Sequence, residues 1–110
     1  MVVIDIEYYR ALFGGPKESE GVKVILYANF KDATGGISEV IIERASDVEE
    51  LLRNLSKEFG QEMEKLLFDE LGDIREKIAI DVDNIPVKLL DGYKTKLRPG
   101  CRVDIYPSIR

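Results

Sequence analysis

Few side chains in this 110-residue chain could do chemistry unaided, and their pattern points away from catalysis. Cys101 is the single cysteine and there is no histidine. A thiol attacks as the thiolate, which an adjacent base or cation must favour, and a Cys/His metal cluster needs several ligands. One cysteine also cannot close an intramolecular disulfide. Cys101 opens an alternating run, Cys101 to Tyr106, where it reads as a small buried apolar residue. The carboxylates Glu49, Glu50, Glu58, Glu62, Glu64, Asp69 and Glu70 populate helical faces and read as solvated surface, since a paired acid–base site would require burial. Gly14-Gly15 and Gly35-Gly36 fit neither a Walker nor a dinucleotide pattern and read as turns. The expectation is a chain with no catalytic centre, no metal and no cofactor of its own, which works by presenting surface and tail to partner proteins.

Bulk properties agree. With 45% hydrophobic and 34% charged residues, the sequence is that of one globular domain rather than a disordered or membrane chain. No apolar run approaches the roughly 20 residues of a bilayer span, and Met1 to Asp5 lacks the basic start and apolar stretch of a secretory signal. A soluble, cytoplasmic protein is expected. The net charge of −5, without segregated basic residues, makes a phosphate backbone a repulsive partner and argues against nucleic acid.

The elements that would position a working surface follow from periodicity. Val22 to Tyr27 and Ile37 to Glu43 are strand candidates, and Asp32 to Gly36 between them supplies glycines for a tight hairpin connection. Ser46-Asp47-Val48-Glu49 reads as a capping box, with Ser46 accepting the Glu49 amide. Val48, Leu51, Leu52, Leu55 and Phe59 keep helical spacing, and Gly60 would end this amphipathic helix in a left-handed cap. Gln61 to Phe68 fits a shorter helix. Ile78, Ile80 and Val82 alternate with Asp81 and Asp83 in a further strand that stops at the Asp83-Asn84 turn signal. Leu90-Asp91-Gly92 is another turn, Pro99-Gly100 suits a type II turn, and Cys101 to Tyr106 closes the chain as a strand. The order ββα(α)ββ predicts an α+β β-grasp (ubiquitin-like) fold, a mixed sheet wrapped around one main helix, with the final strand pairing centrally beside the first. Residues 1–21 form an extension to the domain of residues 22–110, with Val2 to Tyr9 as an additional N-terminal strand. That strand would either cover the sheet edge or serve as an arm for a homo-oligomer.

Two stretches resemble a known family. Val22-Lys-Val-Ile-Leu-Tyr-Ala-Asn-Phe-Lys-Asp-Ala-Thr-Gly35 is similar to the opening strand and loop of the molybdopterin synthase small subunit (MoaD). Leu89-Leu-Asp-Gly-Tyr-Lys-Thr-Lys-Leu-Arg-Pro-Gly-Cys-Arg-Val-Asp-Ile-Tyr-Pro107 is similar to its closing segment. The resemblance covers Val22 to Arg110 and is specific for the MoaD/ThiS sulfur-carrier superfamily more than for one member. It implies a carrier in molybdenum or tungsten cofactor biosynthesis, charged by an E1-like adenylyltransferase (MoeB-like) and docked on a synthase large subunit (MoaE-like). Such carriers hold sulfur as a thiocarboxylate on a terminal Gly-Gly, which only side-chain-free residues can thread through a narrow channel. Where the family continues into those glycines, this sequence has Tyr106-Pro107-Ser108-Ile109-Arg110. Carrier function therefore calls for glycines beyond Arg110. A tailless relative would be left as an interaction or adaptor module, and a ubiquitin-like protein modifier would need the same glycines. The resemblance also implies a partner-binding patch of Tyr27, Ile85, Pro86 and Tyr106, leading out through Pro107, Ile109 and Arg110. Strand parity independently sets Tyr106 opposite Cys101, Val103 and Ile105, where an aromatic ring with a polar tip suits an interface.

Overall fold

In the computed structural model, which describes residues 2–4 and 21–108, the alternating runs assemble into one six-stranded mixed sheet. Its strands are β1 (Val2–Ile4), β2 (Val22–Leu26), β3 (Glu39–Ile42), β4 (Ile78–Val82), β5 (Ile85–Pro86) and β6 (Arg102–Pro107), ordered β1-β3-β2-β6-β4-β5. β2 and β3 form the antiparallel hairpin, Val24 opposite Val40. β6 runs parallel to β2, Val24 opposite Val103, and antiparallel to β4, Ile80 opposite Ile105. The last strand in sequence thus occupies the middle of the sheet, as the β-grasp order demands. β1 adds a parallel edge strand to β3, Val3 opposite Ile41. The rest of the expected Val2 to Tyr9 strand lies outside the described residues, as do Ile109 and Arg110.

One face of the sheet is apolar because its period-two positions are Val22, Val24, Leu26, Ile78, Ile80, Val82, Val103 and Ile105, all buried. Helix α2 (Val48–Phe59) crosses that face with Val48, Leu51, Leu52 and Leu55 fully enclosed. Each fully buried leucine stabilises by about 2 kcal/mol relative to exposure, so this stripe is what ties helix to sheet. The cap sits one residue later than the sequence suggests: Asp47 is the N-cap, its Oδ1 accepting from Glu50 N at 2.9 Å, while Glu50 Oε1 accepts from Ser46 N at 2.7 Å. Replacing Asp47 by alanine should cost about 1 kcal/mol, read as a lower thermal midpoint, while Ser46→Ala, which removes no cap bond, should leave that midpoint nearly unchanged.

Gly60 does not make the expected left-handed cap. Its φ of 83° and ψ of −158° are an extended mirror-region conformation open to glycine, which ends α2 and opens α3 (Gln61–Leu67). α3 buries Met63 and Leu67. The connection between β2 and β3 is longer than a tight turn, holding a five-residue helix α1 (Ala28–Asp32) that inserts Phe30 into the core before Gly35 and Gly36 turn the chain back. Asp83 and Asn84 take φ values of 49° and 69°, so a two-residue loop with both φ positive joins β4 to β5. The expected turn around Leu90 to Gly92 is flanked by two 3-10 turns, Val87–Leu89 and Gly92–Lys94. Pro99-Gly100 behaves as a type II turn: Gly100 has φ 87° and Cys101 N donates to Arg98 O at 3.1 Å.

Candidate docking face on the outer sheet

With the inward positions committed to the core, alternation sends Lys23, Ile25 and Tyr27 to the outer face beside Arg102, Asp104 and Tyr106 of β6 and Ala79 and Asp81 of β4. The register aligns Ile25, Asp104, Asp81 and Pro86 in one row across four strands. Two aspartates therefore face each other directly, an arrangement that repels unless each charge is compensated. Asp104 receives Arg102 Nε at 2.7 Å on Oδ1, and Arg102 Nη2 at 3.0 Å and the Tyr27 hydroxyl at 2.7 Å on Oδ2. Asp81 accepts the Tyr106 hydroxyl at 3.0 Å. The rings of Tyr27 and Tyr106 meet edge to face, with centroids 6.0 Å apart and planes at 80°, a preferred aromatic geometry.

The electrostatics follow from this wiring. Burial by itself would raise the Asp104 carboxyl, but hydrogen bonds from Arg102 and Tyr27 and the Arg102 charge outweigh it and hold the group below its usual range. Tyr27 is pushed up by its bond to Asp104, by burial and by that carboxylate's charge, and Tyr106 is pushed up chiefly by its bond to Asp81. Both tyrosines stay protonated donors at neutral pH. A depressed carboxyl stabilises the fold above its unfolded pKa, and that contribution fades as pH falls through the native value. The gap in thermal midpoint between the wild type and Asp104→Asn should hold at neutral pH and close as pH falls below about 4. A gap that stayed constant down the acid limb would contradict the charge assignment.

Of the residues predicted for the site, Tyr27, Pro86 and Tyr106 share the outer face, and the sheet brings Tyr27 and Tyr106 together. Ile85 stands on the other parity, opposite buried Val82; it is 44% exposed only because β5 is an edge strand. Pro107, opposite Ile78, likewise has inward parity and is half-buried. Arg102, Asp104 and Asp81, which the resemblance does not bring to the patch, stand on the same face in contact with the two tyrosines. Their signal was Arg102-x-Asp104-x-Tyr106, three polar-tipped side chains at i, i+2 and i+4, which a strand must bring to one face.

Elsewhere the chemistry-bearing residues stay apart. Cys101 is buried and free, and burial pushes its thiol up, away from the reactive thiolate. Among the described residues no group of three histidine, cysteine or acidic side chains could hold a metal ion. Glu49 is drawn down by Arg53 and Lys94, as an exposed surface pair would be. A shallow depression of about 430 Å³ lined by Asp69, Asp73, Ile74, Arg75, Glu76 and Lys77 brings no nucleophile to a base. Among the described residues no helix is long and apolar enough to cross a membrane.

The sequence model of the ThiS family matches residues 24–109. No curated protein matches the chain. The small archaeal modifier protein 1 (SAMP1) of Methanosarcina acetivorans superposes with a TM-score of 0.71 at 24% identity, over 81% of this chain and 93% of that one. CysO of Mycobacterium tuberculosis, described as an antigen, gives a TM-score of 0.68 at 21% identity, over 80% and 99% of the two chains. CysO from the BexX/CysO complex of Amycolatopsis orientalis gives 0.67 at 19% identity, over 81% and 97%. At these identities the likeness speaks for the fold, a ubiquitin-like β-grasp.

Proposed function

The chain belongs to the ThiS family, and from that premise we propose that it is a MoaD-like sulfur carrier, the small subunit of a molybdopterin synthase in molybdenum or tungsten cofactor biosynthesis. The observation that carries this reading is the outer face around β6: two edge-to-face tyrosines and an anchored arginine stand on or beside the strand that ends at Pro107. A docking surface next to the exit of the tail is what a carrier needs, because the partner that grips the surface then receives the chain end. In this reading residues 22–110 are the carrier domain and residues 1–21 an extension, and the protein works in the cytoplasm.

The chemistry lies at the chain end. An E1-like adenylyltransferase joins the terminal carboxylate of a Gly-Gly tail to AMP from ATP with loss of pyrophosphate. A sulfur nucleophile then displaces AMP, leaving a thiocarboxylate that a MoaE-like large subunit admits to its active site. The chain's own residues bind and orient; Tyr27, Pro86 and Tyr106 touch the partner, and Pro107, Ile109 and Arg110 form the lead into its channel.

The test begins with the native gene read through its stop codon, followed by incubation of the product with its adenylyltransferase, ATP and sulfide. Intact mass should show two glycines after Arg110 and replacement of one oxygen by sulfur. A native stop directly after Arg110, or a chain that is never adenylated, would end the carrier reading. The likeness to a small archaeal modifier protein favours one other outcome, attachment of the same carboxylate to lysines. Tagged protein that forms covalent ladders in cells, and no cofactor defect on deletion, would select it.

A further inference from the structure

Asp104 is out of place by ordinary sheet logic. It projects from the central strand on the outer face, yet it is only 8% exposed because Arg102 and Tyr27 lie against it. The pair it makes with Arg102 is half open to solvent, so its contribution to stability is modest. What it does achieve is geometric. Arg102 is held by two nitrogens, Nε at 2.7 Å and Nη2 at 3.0 Å, and Tyr27 by its hydroxyl at 2.7 Å, while the Arg102 side chain stays 46% and Tyr27 39% exposed. Tyrosine and arginine are the residue types that most often dominate binding energy at interfaces, and fixing their rotamers beforehand lowers the ordering cost of association.

Resting on the carrier reading above, the geometry points to Asp104 as a positioning residue that locks Tyr27 and Arg102 into a preformed anchor for the E1-like adenylyltransferase. The guanidinium N–H groups not spent on Asp104 aim at a carbonyl or carboxylate oxygen of that partner, and the paired tyrosine rings take an apolar patch beside it. Asp104 itself, covered by the other two, does not touch the partner.

The test measures affinity of the full chain for its purified adenylyltransferase by calorimetry, alongside thermal midpoint and the NMR signal of the Arg102 Nε–H. In the wild type that signal should be sharp and slow to exchange. Asp104→Leu should melt below the wild-type temperature yet stay cooperatively folded, lose the ordered Nε–H signal, and bind at least tenfold more weakly. Arg102→Lys should also bind about tenfold more weakly, since an ammonium cannot reproduce the two-nitrogen fork. Asp104→Asn, which keeps an acceptor for Tyr27, should fall between. Wild-type affinity in Asp104→Leu overturns the proposal. So does an affinity loss in Asp104→Leu that accompanies a lost fold, if Asp104→Asn and Arg102→Lys bind as the wild type does. If the wild type itself fails to bind the adenylyltransferase, the carrier reading falls and takes the proposal with it; an unchanged affinity in the variants overturns the proposal alone.

Discussion

Truncating Leu55 to alanine should remove about 3 kcal/mol of stability, a large share of the roughly 5–15 kcal/mol available to a domain of this size. Leu55 is fully buried in the middle of α2 and belongs to the cluster that joins this helix to β2, β4 and β6. The loss has two parts, the transfer free energy of the deleted carbons and the unfilled space left behind. The second is large here because the neighbours Leu51 and Leu52 are themselves fully enclosed and have little freedom to collapse inward. Urea titration should show an earlier midpoint with an unchanged slope, the sign that stability and not the extent of unfolding has moved. A cost under about 1 kcal/mol would mean the site repacks, and would contradict the tight helix–sheet contact.

The larger effect is expected from Ile105→Asp, which should prevent folding at neutral pH. Ile105 is fully buried in β6, opposite Leu26 on one side and Ile80 on the other. Among the described residues no lysine or arginine is buried, so the new carboxylate would be desolvated without a partner, at a cost of several kcal/mol added to the lost apolar burial. The position also leaves no edge to escape to, because β6 is hydrogen-bonded on both flanks. Circular dichroism and amide dispersion in NMR should report an unfolded chain, while Lys88→Gln, at an exposed position, should remain native with the same change in net charge. A cooperative thermal transition in Ile105→Asp would refute the central placement of this strand.

Much of this architecture was legible locally. The alternations in Val22 to Tyr27, Ile78 to Asp83 and Cys101 to Tyr106, and the leucine stripe of α2, each state their own element type because burial on one face imposes a period. What failed depended on distant residues. Ser46 and Asp47 are both cap formers followed three residues later by a glutamate, so the local sequence is degenerate. The tie is broken from across the fold: Leu97 N donates to Ser46 O at 3.0 Å, Val48 N donates to Thr95 O at 3.2 Å, and Asp47 bridges to Lys96, which holds Ser46 in extended pairing and leaves Asp47 to begin the helix. Helix α1 was hidden for another reason. Its five residues have no capping side chain and a single buried anchor, Phe30, so almost all of its stability is tertiary.

The outer face divides the same way. Tyr106 could be placed outward from the parity of its own strand, but the confrontation of Asp81 with Asp104 exists only in the register between β4 and β6, whose paired residues are more than twenty positions apart in sequence. The resemblance puts Ile85 in the patch, and only its pairing with Val82 shows that its parity is that of the other side.

The central position of β6 also governs when the molecule can come into being. A nascent chain that has emerged as far as Gly100 possesses the β2–β3 hairpin, α2 and β4, but the two halves of its sheet have nothing to join them. Their closure is a long-range event that must wait for β6, the slow kind of step in a fold built on distant pairings. Folding is thereby tied to the arrival of β6: a polypeptide interrupted before it cannot assemble the outer face that β6 shares with β2 and β4.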